Sequence, residues 1–254
     1  MTISVIARNT FKEAVRDRAL YLLLFFSALS IALARVLAVL TVGDRVKVVK
    51  DVGLASISFF GALIAILIGT GLVYKEIEKR TIFTLISKPI RRAEFLLGKF
   101  LGLVLTLAVM VWAMTLVYLA VVFLHTFKIE GRMVLAVFFI FLELILLTAV
   151  AVLFSCFSTP ILSSLFALSF YLIGHFSWSL KTLIKKTPPG LGRTLLRAVY
   201  AILPDLENFN IKAEVVQNLP LPGGLWLGAV AYSAVYTAFV LLLAVWIFRR
   251  RDFI

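Results

Sequence analysis

Apolar residues in this chain come in long uninterrupted runs, and polar residues collect between them. Six runs reach the length of about twenty residues that a helix needs to cross a bilayer. They cover 19–41, 53–74, 95–124, 133–155, 160–180 and 225–248. The third is long enough to begin outside the membrane before it enters lipid. The fourth and fifth are parted only by Cys156-Phe157-Ser158-Thr159. Thr159 is placed there to cap a helix that Pro160 opens, because proline suits the first helical position. The same proline disfavours one helix running through both runs. The pattern predicts an all-α polytopic membrane protein with six transmembrane helices.

Three stretches between or beside the runs have patterns of their own. On a 3.6-residue wheel, Ile3, Ile6, Ala7, Thr10, Phe11 and Ala14 share one face, while Arg8, Asn9, Lys12, Glu13 and Arg16 share the other. Residues 1–18 therefore read as an in-plane amphipathic helix, its apolar face at the acyl boundary and its basic face among headgroups. Residues 181–224 form the largest piece outside the apolar runs. In it, an amphipathic stretch from Thr194 to Leu203 lies between Pro188-Pro189-Gly190 and Pro204, and both flanks carry turn chemistry. This predicts a short helix whose apolar surface dips into the outer leaflet or packs on the span ends, with Leu196 and Tyr200 as candidate outer-gate residues. The third stretch, Tyr74 to Lys99, carries seven of the chain's 26 lysines and arginines. Within it Ile77, Arg80, Thr81, Thr84 and Leu85 fall at i, i+3, i+4 spacing and offer one docking face for a soluble partner. Pro89 ends that helix by disfavouring helical geometry at Lys88.

Composition agrees with the runs. The chain is 62% hydrophobic and 15% charged, with mean hydropathy +1.07, whereas soluble domains are about a quarter charged. No segment is polar enough to fold separately, so 1–254 reads as a single transmembrane domain. The net charge of +13 suggests nucleic acid in a soluble protein. Here the basic residues gather at span ends, where they bind headgroups and set orientation, and no basic face interleaved with aromatics supports a nucleic-acid partner. Fourteen lysines and arginines fall on the side of the termini and eleven on the other, the tight clusters being on the first. Both termini are therefore expected in the cytoplasm. The single Cys156 excludes an intramolecular disulfide, and the mixed polar start, with no small-residue cleavage site after the first run, does not read as a cleaved signal.

Catalytic constellations are missing from the pattern. There is no G-x-x-x-x-G-K-[ST] loop for nucleotide phosphates, and no spacing of His, Cys and carboxylates that suits a metal. His125 and His175 read as headgroup-level polar residues. Two ionisable residues fall inside runs, Arg35 in the first and Glu143 in the fourth. Such residues are costly in lipid and face a partner or a cavity. Arg35 is near enough to its span end to snorkel outward. Glu143 either pairs with Arg35, lines a substrate path or carries a proton. Gly98 and Gly102 make a small-xxx-small pair suited to close helix packing.

The polar stretch also carries a family pattern. Glu78, Arg80-Thr81-Ile82, Leu85-Ile86, Pro89-Ile90, Arg92, Phe95 and Gly98-Lys99 stand in a spacing that resembles the cytoplasmic loop of ABC-2 permeases, the membrane subunits of type-2 ATP-binding-cassette exporters. Either Glu76 or Glu78 matches the leading acid. The opening ARNTFKEAVRDR and the closing FRRRDF are similar to that family's edges. The resemblance implies an N-terminal in-plane helix, six spans, a cytoplasmic coupling region at 75–94 and an extracytoplasmic segment at 181–224. It implies a multi-pass protein of the cell (inner) membrane that hydrolyses no ATP and binds no cofactor itself. ATP and magnesium would be held by two copies of a cytoplasmic ATP-binding subunit, and a second permease copy would complete the complex. Glu76 to Ser87, with Glu76, Ile77, Glu78, Arg80, Thr81, Thr84 and Leu85, would dock on the ATPase. The alternative is a membrane subunit that transmits ATPase motion to an extracytoplasmic protein without moving a solute.

Overall fold

The computed structural model describes residues 2–41, 43–78, 91–128, 130–188, 190–202, 204–221 and 224–250, and every regular element among them is helical. In chain order these are α1 (Thr2–Ala14), α2 (Arg18–Leu40), α3 (Arg45–Glu78), α4 (Arg92–Thr126), α5 (Gly131–Ser155) and α6 (Pro160–His175). They continue with α7 (Ser177–Lys186), α8 (Leu191–Ile202), a 3-10 helix (Leu206–Phe209), α9 (Lys212–Val216) and α10 (Leu225–Arg250). Five of them, α2, α3, α4, α5 and α10, are long and apolar enough to cross a membrane, and α6 is a shorter apolar helix.

Between helices in lipid there is little hydrophobic drive, so close packing has to hold the bundle. α5 lies at its centre against α3, α4, α6 and α10. α3 comes near it because glycines stand at the contact. A Cβ on Gly61 would lie 2.5 Å from Leu144 Cδ1, and one on Gly69 would lie 2.7 Å from Ala151 Cβ. α2 closes the other flank of α3 and leaves Tyr21, Leu22, Phe25, Phe26 and Leu29 exposed, as a lipid-facing helix should.

The N-terminal helix spends its apolar face differently from the expectation at the acyl boundary. Ala7, Thr10 and Ala14 are buried and Ile6 half-buried, while Arg8, Asn9, Lys12 and Glu13 are exposed. The covering surface is the start of α4, where Gly98 packs on Ile6 and Gly102 on Ala7 and Thr10. The small-xxx-small pair of the sequence is the seat of α1. Lys99, buried in the same seam, reaches Glu13 at 3.5 Å. The end of α10 meets the same region. Phe248 stacks on Phe95 with ring centroids 6.2 Å apart, and Arg92 Nη1 donates to the carbonyls of Phe248 (3.3 Å) and Arg249 (2.9 Å). A cation there satisfies carbonyls that the helix end leaves open. Both ends of the described chain thus gather beside the 79–90 connection, hereafter the loop end.

At the opposite end the expected fifth span, 160–180, does not run unbroken. The helix stops at His175, Phe176 takes φ −84° and ψ 8°, and α7 starts at Ser177. The segment after α8 holds the chain at this corner. Ser177 Oγ donates to Asp205 Oδ1 and Lys181 Nζ to Asp205 Oδ2, each at 2.5 Å. Gly174 lies so close to Leu206 that a Cβ would be 2.6 Å from its Cγ. The 3-10 helix and α9 then lie over the ends of α3, α5 and α6, burying Leu206, Phe209, Ile211, Val215 and Val216. The Asp205 backbone N–H donates to Tyr232 Oη on α10 at 2.9 Å. We call residues 204–217 the cap. The amphipathic stretch expected at Thr194 to Leu203 is α8, which stops before Pro204 and packs on α7.

Candidate functional site: a buried polar cluster beneath the cap

Under the cap, polar side chains from four helices converge inside an apolar bundle. Glu143 on α5 is fully buried. Its Oε1 lies 3.4 Å from His175 Nε2 on the last turn of α6. Neither carboxylate oxygen and neither ring nitrogen has a hydrogen-bond partner among the described residues. The His175 ring lies against the Tyr171 ring, one turn earlier, with centroids 4.6 Å apart. Tyr171 Oη in turn lies 3.3 Å from Ser58 Oγ on α3. From the cap, α9 brings Lys212 within electrostatic reach of Glu143, Glu207 and Asp51. Burial lowers the proton affinity of the Lys212 amine, and the three carboxylates offset that in part, Glu143 first among them. An ion pair closes the same end of the bundle: Lys50 Nζ, buried on α3, meets Glu130 Oε1 at 2.8 Å.

This removes one of the three readings of Glu143, the pairing with Arg35. Arg35 is exposed on α2, and the side chain that Glu143 meets is His175. His175, expected only as a polar residue near a span end, is the neighbour of this buried carboxylate. Spacing along the chain could not show this, because the two belong to different helices and only the α5–α6 packing brings them together. Lys212, Tyr171, Ser58 and Lys50 also went unremarked as partners. Lys212 and Lys50 stand in segments that read as loop, and Tyr171 and Ser58 read as ordinary span residues.

The loop-end docking residues are described only in part. Glu76, Ile77 and Glu78 close α3 as helical backbone, and their side chains lie outside the described residues. Arg80, Thr81, Thr84 and Leu85 lie outside them altogether. Of the outer-gate pair, Leu196 is half-buried on α8, and the Tyr200 side chain is not described. Among the described residues no group of three or more His, Cys, Asp or Glu is arranged to hold a metal ion.

Compared with protein families, the chain matches the ABC-2 family transporter protein model over residues 4–253. The chain belongs to the ABC-2 transporter family. It is a transmembrane subunit of an ATP-binding-cassette transporter, and membership implies work beside an ATP-binding subunit. The expected fold class agrees with an all-α, multi-pass membrane protein. A search of curated proteins finds no match.

Proposed function

We propose that this ABC-2 subunit is an exporter permease, working as two copies with two cytoplasmic ATP-binding subunits that hold ATP and magnesium. The observation that carries the reading is the length of α3 and α4. They have 34 and 35 residues, about 51 and 53 Å at 1.5 Å per residue, against a hydrocarbon core of about 30 Å. Their polar ends, through Glu78 and from Arg92, flank the 79–90 connection. Both helices therefore overrun the membrane beside the segment that carries the family pattern. A push on that segment enters α3, and α3 packs on α9 of the cap at its other end. One helix thus joins the docking region to the far face, which is the linkage that alternating access requires. In this reading both termini and the loop end are cytoplasmic, Glu76 to Ser87 is the coupling helix, and Leu196 and Tyr200 on α8 contribute to the outer gate.

A second reading has its own support. Residues 177–202 carry Lys181, Lys185, Lys186, Arg193 and Arg197 and no acidic residue, and α8 packs on α7 rather than on the bundle. A basic helical pair whose second helix packs on the first suits an extracytoplasmic protein that receives motion without a solute being moved.

Replacing Arg80 with Glu and Leu85 with Ala together tests the docking that both readings need. Co-purification of the ATP-binding subunit should be lost while membrane insertion is retained. Unchanged recovery of the ATPase would overturn the assignment.

A further inference from the structure

We propose that the groove between the start of α4 and the end of α10 is a binding site for an anionic phospholipid, with one acyl chain lying along α10 and the phosphate held by Arg249. α10 lies along α5, and its end is fastened to α4 by the Phe95–Phe248 stack and by Arg92. Beside that tie the two helices leave an open groove of about 520 Å³, within the range of about 300–1,000 Å³ that ligand sites occupy. Ala93 and Leu97 line it from α4, and Ala238, Leu241, Leu242 and Val245 from α10. Trp246 and Arg249 complete the lining, so Arg249 is the single charged residue among the described ones that bound the groove.

The groove has the depth of one leaflet. Ala238 precedes Arg249 by eleven residues, a rise of about 16 Å, and half of a hydrocarbon core of about 30 Å is about 15 Å. Arg249 is exposed at the helix end, where headgroups lie, and Ala238 then stands near the midplane. Trp246 is exposed one turn inward from Arg249, the level that interfacial aromatics prefer. The Arg250 guanidinium lies over its ring at 4.2 Å.

Charge selects the headgroup. Among the described residues at this edge, 91–94 and 249–250, Arg91, Arg92, Arg249 and Arg250 stand against one acid, Glu94. Arg92 is committed to the carbonyls of Phe248 and Arg249, and Arg250 to the Trp246 ring. Arg249 is exposed and makes no ion pair among the described residues. A guanidinium binds phosphate through two parallel N–H donors. The ammonium of a zwitterionic lipid is repelled by this edge, whereas a headgroup without a cation is attracted to it. A second copy of this chain is a poor occupant, because a two-fold contact through the groove sets the same arginines against each other. A soluble partner does not reach it, since the apolar walls run down inside the span.

The test uses the full chain reconstituted in phosphatidylcholine vesicles and reads the fluorescence of Trp246 alone, after Trp112→Phe, Trp178→Phe and Trp226→Phe. Phosphatidylglycerol or phosphatidylcholine with brominated acyl chains is titrated in as the quencher. Half-quenching of Trp246 should need about fivefold less of the anionic lipid, the ratio for one arginine–headgroup attraction. A protein that keeps only Trp112, exposed on α4 about 30 Å along the helix from Arg92, should show no such preference. Arg249→Gln, at an exposed helix end, should bring the two Trp246 curves together. Ala238→Phe fills the inner end of the groove from an exposed position and should weaken quenching by the anionic lipid. Equal curves for the two lipids at Trp246 overturn the proposal, as does an Arg249→Gln protein that keeps the parent preference. Quenching of Trp246 by neither lipid also overturns it and assigns the groove to a second copy.

Discussion

Gly102→Ala puts the seat of the N-terminal helix to a quantitative test. The new Cβ would lie 2.6 Å from the Ala7 carbonyl oxygen and 2.6 Å from Thr10 Cβ, where ordinary contact begins at 3.4 Å. Neither atom is the far end of a flexible side chain. α1 must therefore back away by the difference, about 0.8 Å, and it loosens the Gly98–Ile6 contact as it goes. Overpacking of this kind costs about 1–3 kcal/mol, and the better helix propensity of alanine returns up to about 1 kcal/mol. A net loss of about 1 kcal/mol at the α1 seat speeds local opening roughly fivefold. The assay is hydrogen exchange of residues 5–14 in the full protein in nanodiscs. Gly71→Ala is the control, because nothing lies within 4 Å of its Cβ position, and it should leave α1 unchanged. If Gly102→Ala leaves exchange in α1 at the parent rate, or Gly71→Ala accelerates it equally, the close approach does not hold this helix.

Three other outcomes follow from named contacts. Glu130→Ala strands the ammonium of Lys50, whose side chain is 3% exposed while that of Glu130 is 40% exposed; it should cost about 2–3 kcal/mol, more than Lys50→Met, in a denaturant titration of the detergent-solubilised protein, and equal losses would refute the asymmetry. Asp205→Ala removes the acceptor of both Ser177 and Lys181 and should cost about 1–2 kcal/mol, the Lys181 share discounted for its exposure, seen as faster proteolysis at 204–217. Leu196→Ser with Tyr200→Ser should uncouple transport from ATP hydrolysis in the assembled complex without loss of assembly; full coupling would remove α8 from the gate.

The helices were legible where one stretch of chain carries the whole signal. Long apolar runs located α2 to α5 and α10, Thr159-Pro160 marked the start of α6, and the alternation from Thr194 found α8 ahead of Pro204. Gly98 and Gly102 announced close packing, though which helix came close was settled only by the fold. What stayed hidden depends on contacts between distant segments. The break at Phe176 is flanked by contacts from Asp205 to Ser177 and from Leu206 to Gly174, some thirty residues apart in the chain. Glu143 stood out because a carboxylate in an apolar run always does, yet the one partner weighed for it was Arg35, whose charge is opposite, and not His175, which reads as neutral. Lys212 gave no signal, since five helical residues in a polar segment have no period to detect.

The shortness of α6 has a consequence for the lipid around it. Sixteen residues rise about 24 Å, some 6 Å less than the hydrocarbon of an average bilayer. The flank bearing Ile161, Leu162, Leu165, Phe166, Leu172 and Ile173 is exposed along this length. Beyond it come Lys181, Lys185 and Lys186 on α7, cations suited to phosphate headgroups. The leaflet must dip to meet them, at a fraction of a kcal/mol per Å of mismatch. The mismatch predicts a bilayer drawn thinner against this flank than against the longer helices α2 to α5 and α10.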